Sequence, residues 1–301
     1  MREFTGDFGV LTLATPNDYL KAIGLALSIR VSNPGVPIAV ACSATVRPLV
    51  EPYFDHVVEE VSGLKGFVHK VYLDRYSPFR ETMFFDSDVL VFKPLRSYIE
   101  NWGPGPYHAC GLFMTDGESS FGLNRQQVLK RIGKDRLVVI DGAGHAFFRQ
   151  PECEKVFDLA REVTSKHEFY AGKIPYADED VIDIVMTMLD LPPSIPGDFF
   201  ARYMSAVRGT MEMDATRAHC RFIFVDDGRV FEPCMIHFAA NEAAIPYTKQ
   251  LLKLFRHFNV PTNGLLSLGL ADFYELEIKL PLSRLRRQGR RAVGILAGRS
   301  A

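Results

Sequence analysis

The sequence predicts an α/β fold with a mainly parallel sheet. Short apolar runs alternate with segments whose apolar residues recur at helical spacing through the first hundred residues. Hydrophobic residues make up 47% of the 301, which is ample for a packed core and argues against global disorder. No internal repeat or low-complexity segment breaks the pattern, and no clear linker occurs before about residue 250. The length fits one large domain or two small ones.

Phe8-Gly9-Val10-Leu11-Thr12-Leu13-Ala14 reads as a buried strand. Thr15-Pro16-Asn17-Asp18 makes a turn and a helix start. Leu20, Ile23, Leu27 and Val31 recur at helical spacing, so a helix begins at Tyr19, and Asn33-Pro34-Gly35 stops it. Pro37-Ile38-Ala39-Val40-Ala41 is the second strand, residues 45–54 the second helix and 56–61 the third strand. Residues 67–76 read as helix and 80–85 as the strand that delivers Asp86. Strands joined by helices in this way build a parallel sheet, whose ligands bind beyond the C-terminal strand ends. Ala14 to Asp18 and Asp86 lie at two such ends.

The second half is less regular. Leu137-Val138-Val139-Ile140 is a strand leading into Asp141-Gly142-Ala143-Gly144, then Ala146-Phe147-Phe148. Residues 151–166 form a helix with Pro151 in its first turn. Asp178-Glu179-Asp180 opens another, running through Asp190, where acids complement the N-terminal dipole. Residues 191–235 are rich in turns, residues 230–238 hold a final strand, and a helix spans about 246–257.

The formal net charge of −1 gives no reason to expect nucleic-acid binding. The five cysteines are scattered, with no C-x-x-C pair, so a disulfide framework or zinc site is not expected and a reducing compartment is. Residues 1–30 show no secretory signal pattern, and no run reaches the ~18–20 apolar residues of a membrane span. These features predict a cytoplasmic protein. Its C-terminal end is unusual: from Lys279 onward there are seven basic residues and no acid.

The most informative run is Met83-Phe84-Phe85-Asp86-Ser87-Asp88-Val89-Leu90-Val91-Phe92. Ionised carboxylates beside buried chain need a partner. In extended chain, residues i and i+2 point the same way, so Asp86 and Asp88 can converge on one hard divalent cation such as Mn²⁺ or Mg²⁺. D-x-D triplets also occur in solvated turns, but the apolar flanks argue against one here. His237, between Met235-Ile236 and Phe238, is either a core histidine or a third ligand. Lys70 is either a surface lysine or a charge reaching a phosphate or sugar. Asp141, Gly142 and Gly144 form a tight turn or a close backbone approach to a ligand. Asp178 and Glu179 cap a helix or face a polyhydroxylated ligand.

In this order the pieces resemble the GT-A glycosyltransferases, most closely the glycosyltransferase family 8 type that includes glycogenin and bacterial lipooligosaccharide galactosyltransferases. Val10 to Ala14 through Asn17-Asp18-Tyr19 to Arg30 looks like that family's first strand and nucleotide-binding helix. Lys70 through Tyr76-Ser77-Pro78-Phe79 to Val91 resembles its lysine, strand and D-x-D block. Gly142-Ala143-Gly144 through Phe148 is similar to its N-S-G-V-F-like strand, and Ile236-His237-Phe238 to its late metal histidine. The likeness covers residues 8–250.

The resemblance implies a GT-A type Rossmann-like nucleotide-binding domain over 1–250, with a donor half at about 1–100 and an acceptor half at about 101–250. A helical, basic extension over 251–301 follows. It implies a Mn²⁺- or Mg²⁺-dependent, retaining glycosyltransferase that moves a sugar from a UDP-sugar to a saccharide or glycolipid acceptor. Tyr19 would stack on or beside uracil, with Thr12, Ala14 and Asn17 lining base and ribose. Asp86, Asp88 and His237 would hold the metal, with Ser87 between the two aspartates on the cofactor side. Lys70, Asp178 and Glu179 would address the donor sugar, beside Asp141 and Gly144. The chain departs from the family where H-x-x-G-x-x-K is common. Ala240 and Ala243 stand at the later positions, and the nearest lysine is Lys249, which would serve the diphosphate from a remodelled loop. Glu179 stands where glutamine is common and Gly142 where asparagine is common.

Two rivals stay open: a sugar-1-phosphate nucleotidyltransferase and a catalytically silent nucleotide-sugar binding protein. The basic tail, with Leu280, Leu282, Leu285, Val293, Ile295 and Leu296 interleaved, predicts attachment to an anionic membrane surface on the cytoplasmic face. A disordered basic tail or an oligomer contact is the plainer alternative.

Overall fold

A computed structural model describes residues 4–142, 144–238 and 244–274. The first half follows the predicted alternation. Strands β1 (Gly6–Ala14), β2 (Ile38–Cys42), β3 (His56–Glu59) and β4 (Phe79–Phe85) lie parallel in the order β3-β2-β1-β4. β5 (Val89–Val91) leaves this sheet after the Asp86-Ser87-Asp88 turn. β6 (Tyr107–His108) is followed by β7 (Gly111–Met114) and β8 (Leu137–Ile140), which pair antiparallel with each other. β9 (His145–Arg149) returns antiparallel beside β4 and carries β6 on its outer edge. The main sheet is therefore β3-β2-β1-β4-β9-β6. Its last two strands come from the sequence expected to form a separate acceptor half, so both halves share one sheet.

Five strands complete the later part. β10 (Phe200–Arg202) precedes a small antiparallel sheet of β11 (Glu212–Asp214), β12 (His219–Ile223) and β13 (Val230–Phe231). β14 (Met235–His237) then lies between β10, parallel, and β5, antiparallel.

Strand alternation divides the core. Val10, Met83 and Phe85 pack into one cluster, Leu11 and Phe84 into the other, on opposite faces of the main sheet. The helix Tyr19–Ser32 is buried along most of its length, because β5 packs on one side and the helix Ala244–His257 on another. Gly24 is where Leu251 of that second helix fits, leaving no room for a Cβ. The helix also braces the site. Ser28 Oγ accepts the Val91 amide at 3.1 Å, and Asn33 accepts the Leu95 amide at 2.8 Å.

The predicted helix over 45–54 is shorter, an α-turn at Arg47–Val50 followed by a 3₁₀ turn at Glu51–Tyr53. Pro52 removes the amide that would continue the α ladder. Residues expected as one helix over 67–76 instead form a 3₁₀ segment, Gly66–Tyr72, and a single α-turn, Leu73–Tyr76. Pro151 precedes rather than opens its helix, which runs Glu154–Ser165. The acid-headed helix is Asp178–Met188. The helices Arg96–Trp102 and Arg125–Ile132 lie in stretches that the sequence reading left unassigned. The second is capped at both ends, by Asn124 accepting the Gln127 amide and by left-handed Gly133. All five cysteines are buried and free. Among the described residues no helix is long and apolar enough to cross a membrane. The basic run from Lys279 onward, Ala143, Ala240 and Ala243 lie outside the described residues.

Candidate active site

Asp86 and Asp88 sit in the turn between β4 and β5, at the C-terminal edge of the parallel strands. Backbone hydrogen bonds fix this turn from two sides. The Asp86 amide donates to the Gly144 carbonyl at 3.0 Å, and the Asp88 carbonyl accepts the Phe238 amide at 2.9 Å. The turn is thus locked to the 141–144 loop and to the end of β14. Register does the rest: His237 on β14 pairs with Val89 on β5, one residue beyond Asp88.

The outcome is a compact cluster. One ligand atom each from Asp86, Asp88 and His237 lie within 4.8 Å of one another. His237 Nε2 is 3.1 Å from Asp88 Oδ1 and 3.9 Å from Asp86 Oδ2. Two carboxylates and one imidazole suit Mn²⁺ or Mg²⁺ by the chemistry of the donor set, and the shared focus of the three groups fits one ion.

Lys70 extends the cluster. Its ammonium is 2.9 Å from Asp86 and 3.0 Å from Asp178, which heads the helix Asp178–Met188. Burial opposes the ammonium charge, but the two carboxylates outweigh it and raise the Lys70 pKa above its ordinary value. Burial pushes the Asp86 carboxyl up to about 6, against the pull of Lys70. Burial also works to raise Asp88, yet the hydrogen bond from His237 and its charge hold this carboxyl below the usual range. For His237 burial disfavours the charged ring, and the bond to Asp88 overcomes it and raises the pKa.

A cleft of ≈ 240 Å³ adjoins the aspartates and Lys70. Leu13, Thr15, Asp18, Phe67 and Lys70 line it with Asp86, Ser87 and Asp88. Thr12 and Ala14, expected to line a base and ribose, are buried in β1 on either side of Leu13, which does reach the cleft. Asn17 is exposed and Tyr19 half-buried just beyond it. The Ser87 carbonyl accepts the Tyr247 hydroxyl at 3.3 Å. Gly144 packs against His237: a Cβ there would stand 2.6 Å from His237 Nδ1. Asp141 is exposed and 3.2 Å from Arg202. Glu179 is half-buried beside Asp178. Lys249 is exposed on the helix Ala244–His257, not on a loop, because the helix begins at Ala244.

Three contributors escaped the sequence reading. Phe67 is 53% exposed at the cleft and offers a ring face there. Tyr247 buttresses the Ser87 carbonyl from a helix far along the chain. Arg202 reaches the 141–144 loop from β10. Only Phe67 carried a local signal, a large aromatic directly after Gly66 in a polar stretch.

A parallel β3-β2-β1-β4 core, an antiparallel β9 beside β4, and a D-x-D turn closed by a late histidine define a class: the fold is that of the GT-A glycosyltransferases. Among solved structures the chain is similar to the galactosyltransferase LgtC bound to donor and acceptor sugar analogues. There the TM-score is 0.57 at 13% identity, over 86% of this chain and 99% of that one. It is also similar to an LgtC active-site mutant with glutamine replaced by glutamate, with TM-score 0.55 at 15% identity over 85% and 98%. A third is the apo bifunctional glycosyltransferase WbbM, with TM-score 0.52 at 12% identity over 84% of this chain. The chain spans about half of WbbM, 52% of its length. No protein-family model and no curated protein matches the sequence.

Proposed function

We propose that this protein is a metal-dependent, retaining glycosyltransferase that transfers a sugar from a UDP-sugar to a saccharide or glycolipid acceptor. The observation that carries the reading is the convergence of Asp86, Asp88 and His237 within 4.8 Å at the C-terminal edge of a GT-A sheet. The adjoining cleft is open, polar at its floor and bordered by Phe67, which suits a nucleotide whose diphosphate faces the carboxylates. Mn²⁺, or Mg²⁺ in its place, would act there as a Lewis acid toward the departing diphosphate.

The chain's own groups have separable tasks. Asp86 and Asp88 hold the cation, and His237 offers its Nε2 as the third ligand. Lys70 fixes Asp178 in place, 3.0 Å from its ammonium, beside the donor sugar. Because that carboxylate is 5% exposed and ion-paired, it suits holding sugar hydroxyls better than attacking carbon. Retention then follows from attack on the face that the leaving group vacates. The acceptor oxygen bonds to the anomeric carbon, the bond to UDP breaks, and the departing phosphate takes the acceptor proton. Glu179 and Asp141 border the sugar, while Tyr19, Asn17 and the backbone of Thr12 and Ala14 border the nucleoside.

Location fits a peripheral role on the cytoplasmic membrane face. The helix Leu265–Phe273, with five residues between it and the basic run that begins at Lys279, turns Leu266 and Leu270 outward at 75% and 60% exposure. An apolar stripe followed by seven cations suits an anionic lipid surface and a membrane-borne acceptor.

The deciding experiment is release of UDP from a panel of UDP-sugars, with and without Mn²⁺. Mn²⁺-dependent UDP release supports the reading. Pyrophosphate release from UTP and a sugar 1-phosphate points to the nucleotidyltransferase, and tight UDP-sugar binding without turnover points to a silent binding protein.

A further inference from the structure

Arg202 is placed by the same strand pairing that places His237. β10 and β14 run parallel, and Arg202 pairs with His237. Paired residues on neighbouring strands lie about 4.8 Å apart, with side chains on the same face. Both side chains cover the 141–144 loop. A Cβ on Gly144 would stand 2.6 Å from His237 Nδ1, and a Cβ on Gly142 would stand 3.1 Å from Arg202 Nη2. The loop takes a left-handed turn at Gly142, φ +67°, and passes beneath the guanidinium.

The guanidinium is under-used. Nη2 is 3.2 Å from Asp141 Oδ1, a carboxylate 52% exposed, and such an exposed pair holds its partner weakly. Among the described residues, Arg202 Nε is buried without a hydrogen-bond partner. A guanidinium presents its nitrogens as a rigid fork that matches a planar oxyanion. Arg202 is not among the residues that line the nucleotide cleft. That cleft is walled by Leu13, Thr15, Asp18 and Phe67, while Arg202 enters from β10 at the loop that carries Gly144 past His237.

We propose that Arg202 binds an oxyanion carried by a saccharide, which makes the site selective for an acidic sugar. The proposal rests on the glycosyltransferase reading. The oxyanion has two sources, a carboxylate on the donor sugar or an acidic group on the acceptor, and both present the same chemistry to the fork.

The test is isothermal titration of the full chain with Mn²⁺, using wild type, Arg202→Gln, Arg202→Lys and the exposed control Arg221→Gln. Donor arms are UDP, UDP-glucose and UDP-glucuronic acid. Acceptor arms are glucose and glucuronic acid added to UDP-saturated protein. In one pair of arms, wild type binds the acidic ligand about tenfold tighter than the neutral one. That pair names the source. The preference vanishes in Arg202→Gln, shrinks in Arg202→Lys because the fork is lost, and persists in Arg221→Gln. UDP affinity stays the same in all four. If Arg202→Gln does not fold, the Arg202→Lys arm decides alone. No acid preference in wild type overturns the proposal, as does an unchanged preference in the Arg202 variants. A loss of UDP affinity in Arg202→Gln overturns it too, since the fork then grips the diphosphate. Those outcomes leave the glycosyltransferase reading standing. Failure of wild type to bind any of the three nucleotides overturns that reading and this proposal together.

Discussion

The Lys70 ammonium stands 2.9 Å from the Asp86 carboxylate, so the cation cluster already contains one positive charge of its own. The same ammonium holds Asp178 at 3.0 Å, and Lys70 and Asp178 side chains are only 10% and 7% exposed. One lysine therefore balances the Asp86 and Asp178 carboxylates at once.

Lys70→Met should destabilise the metal-free protein by roughly 3–5 kcal/mol, because it strands two carboxylates in a mostly buried site. Mn²⁺ should restore part of that loss by supplying charge at Asp86. Urea unfolding with and without Mn²⁺ checks both statements; an unchanged midpoint in the metal-free variant refutes the first.

Asp88→Asn should weaken Mn²⁺ binding by about 100-fold or more and remove turnover, since a direct ligand matters at least as much as the groups that orient one. The fold should persist, because the Asp88 backbone carbonyl still receives the Phe238 amide. Titration with Mn²⁺ and a circular dichroism melt separate the two effects. EDTA should abolish wild-type turnover in parallel.

Gly144→Ala should act on the metal through His237. The added methyl would meet the ring at 2.6 Å and push the imidazole aside. We expect Mn²⁺ affinity to fall about tenfold with a smaller change in melting temperature. A variant that binds Mn²⁺ like wild type would show that His237 is not a ligand.

His108 gives a pH dependence with a definite sign. It is 7% exposed, its Nδ1 lies 3.2 Å from Ser194 Oγ, and burial with the nearby Arg149 charge pushes its pKa down from 6.5 to about 4. Below pH 6.5 the unfolded chain takes up a proton that the folded chain refuses until about pH 4. The His108 contribution to stability is therefore intact above that window and declines as pH falls through it. Asp180, pushed up to about 6 by burial, works in the opposite direction over much of the same range. The comparison with His108→Gln isolates the histidine: from pH 7 to 4 the variant should gain roughly 2–3 kcal/mol relative to wild type. Equal pH slopes in urea denaturation would contradict this.

Liposome flotation tests the membrane expectation. Full-length protein should float with anionic vesicles at low salt and not with neutral ones, and a chain ending at Ile278 should lose most of this binding. Each tail cation contributes about 1 kcal/mol near anionic lipid. Leu266→Asp should weaken flotation of the full chain further. Identical flotation of the long and short chains removes the tail from the account.

The strand-and-helix alternation of the first half was legible because each element is local: β2 is a continuous apolar run, β1 carries Val10 to Ala14 with only Thr12 interrupting, β4 ends in Met83-Phe84-Phe85, and the turn after β4 announces itself by two acids in apolar chain. His237 was legible only in company, as a histidine at the end of an apolar run. What could not be read is pairing over long separations. Lys70 and Asp178 lie in different halves of the sequence, and nothing near either names the other. The antiparallel place of β9 beside β4 is likewise a tertiary choice that His145-Ala146-Phe147-Phe148-Arg149 does not dictate. Short helices failed for a local reason. Pro52 cuts the second one, and the 3₁₀ winding of Gly66–Tyr72 brings Lys70 to the carboxylates.

Gly142 and Gly144 on one loop lie against Arg202 and His237 on two adjoining strands, where added Cβ atoms would stand 3.1 and 2.6 Å from those side chains. The two contacts differ in tolerance: at 144 a Cβ would meet a ring held between strands, whereas at 142 it would meet the far end of a flexible side chain. In relatives of this chain, a side chain at 142 should be accompanied by a shorter residue at 202, whereas 144 should stay glycine wherever 237 stays histidine. If Arg202 reads an acidic sugar as proposed, the pair 142 and 202 is where the lineage would alter that preference while Asp86, Asp88 and His237 stay unchanged.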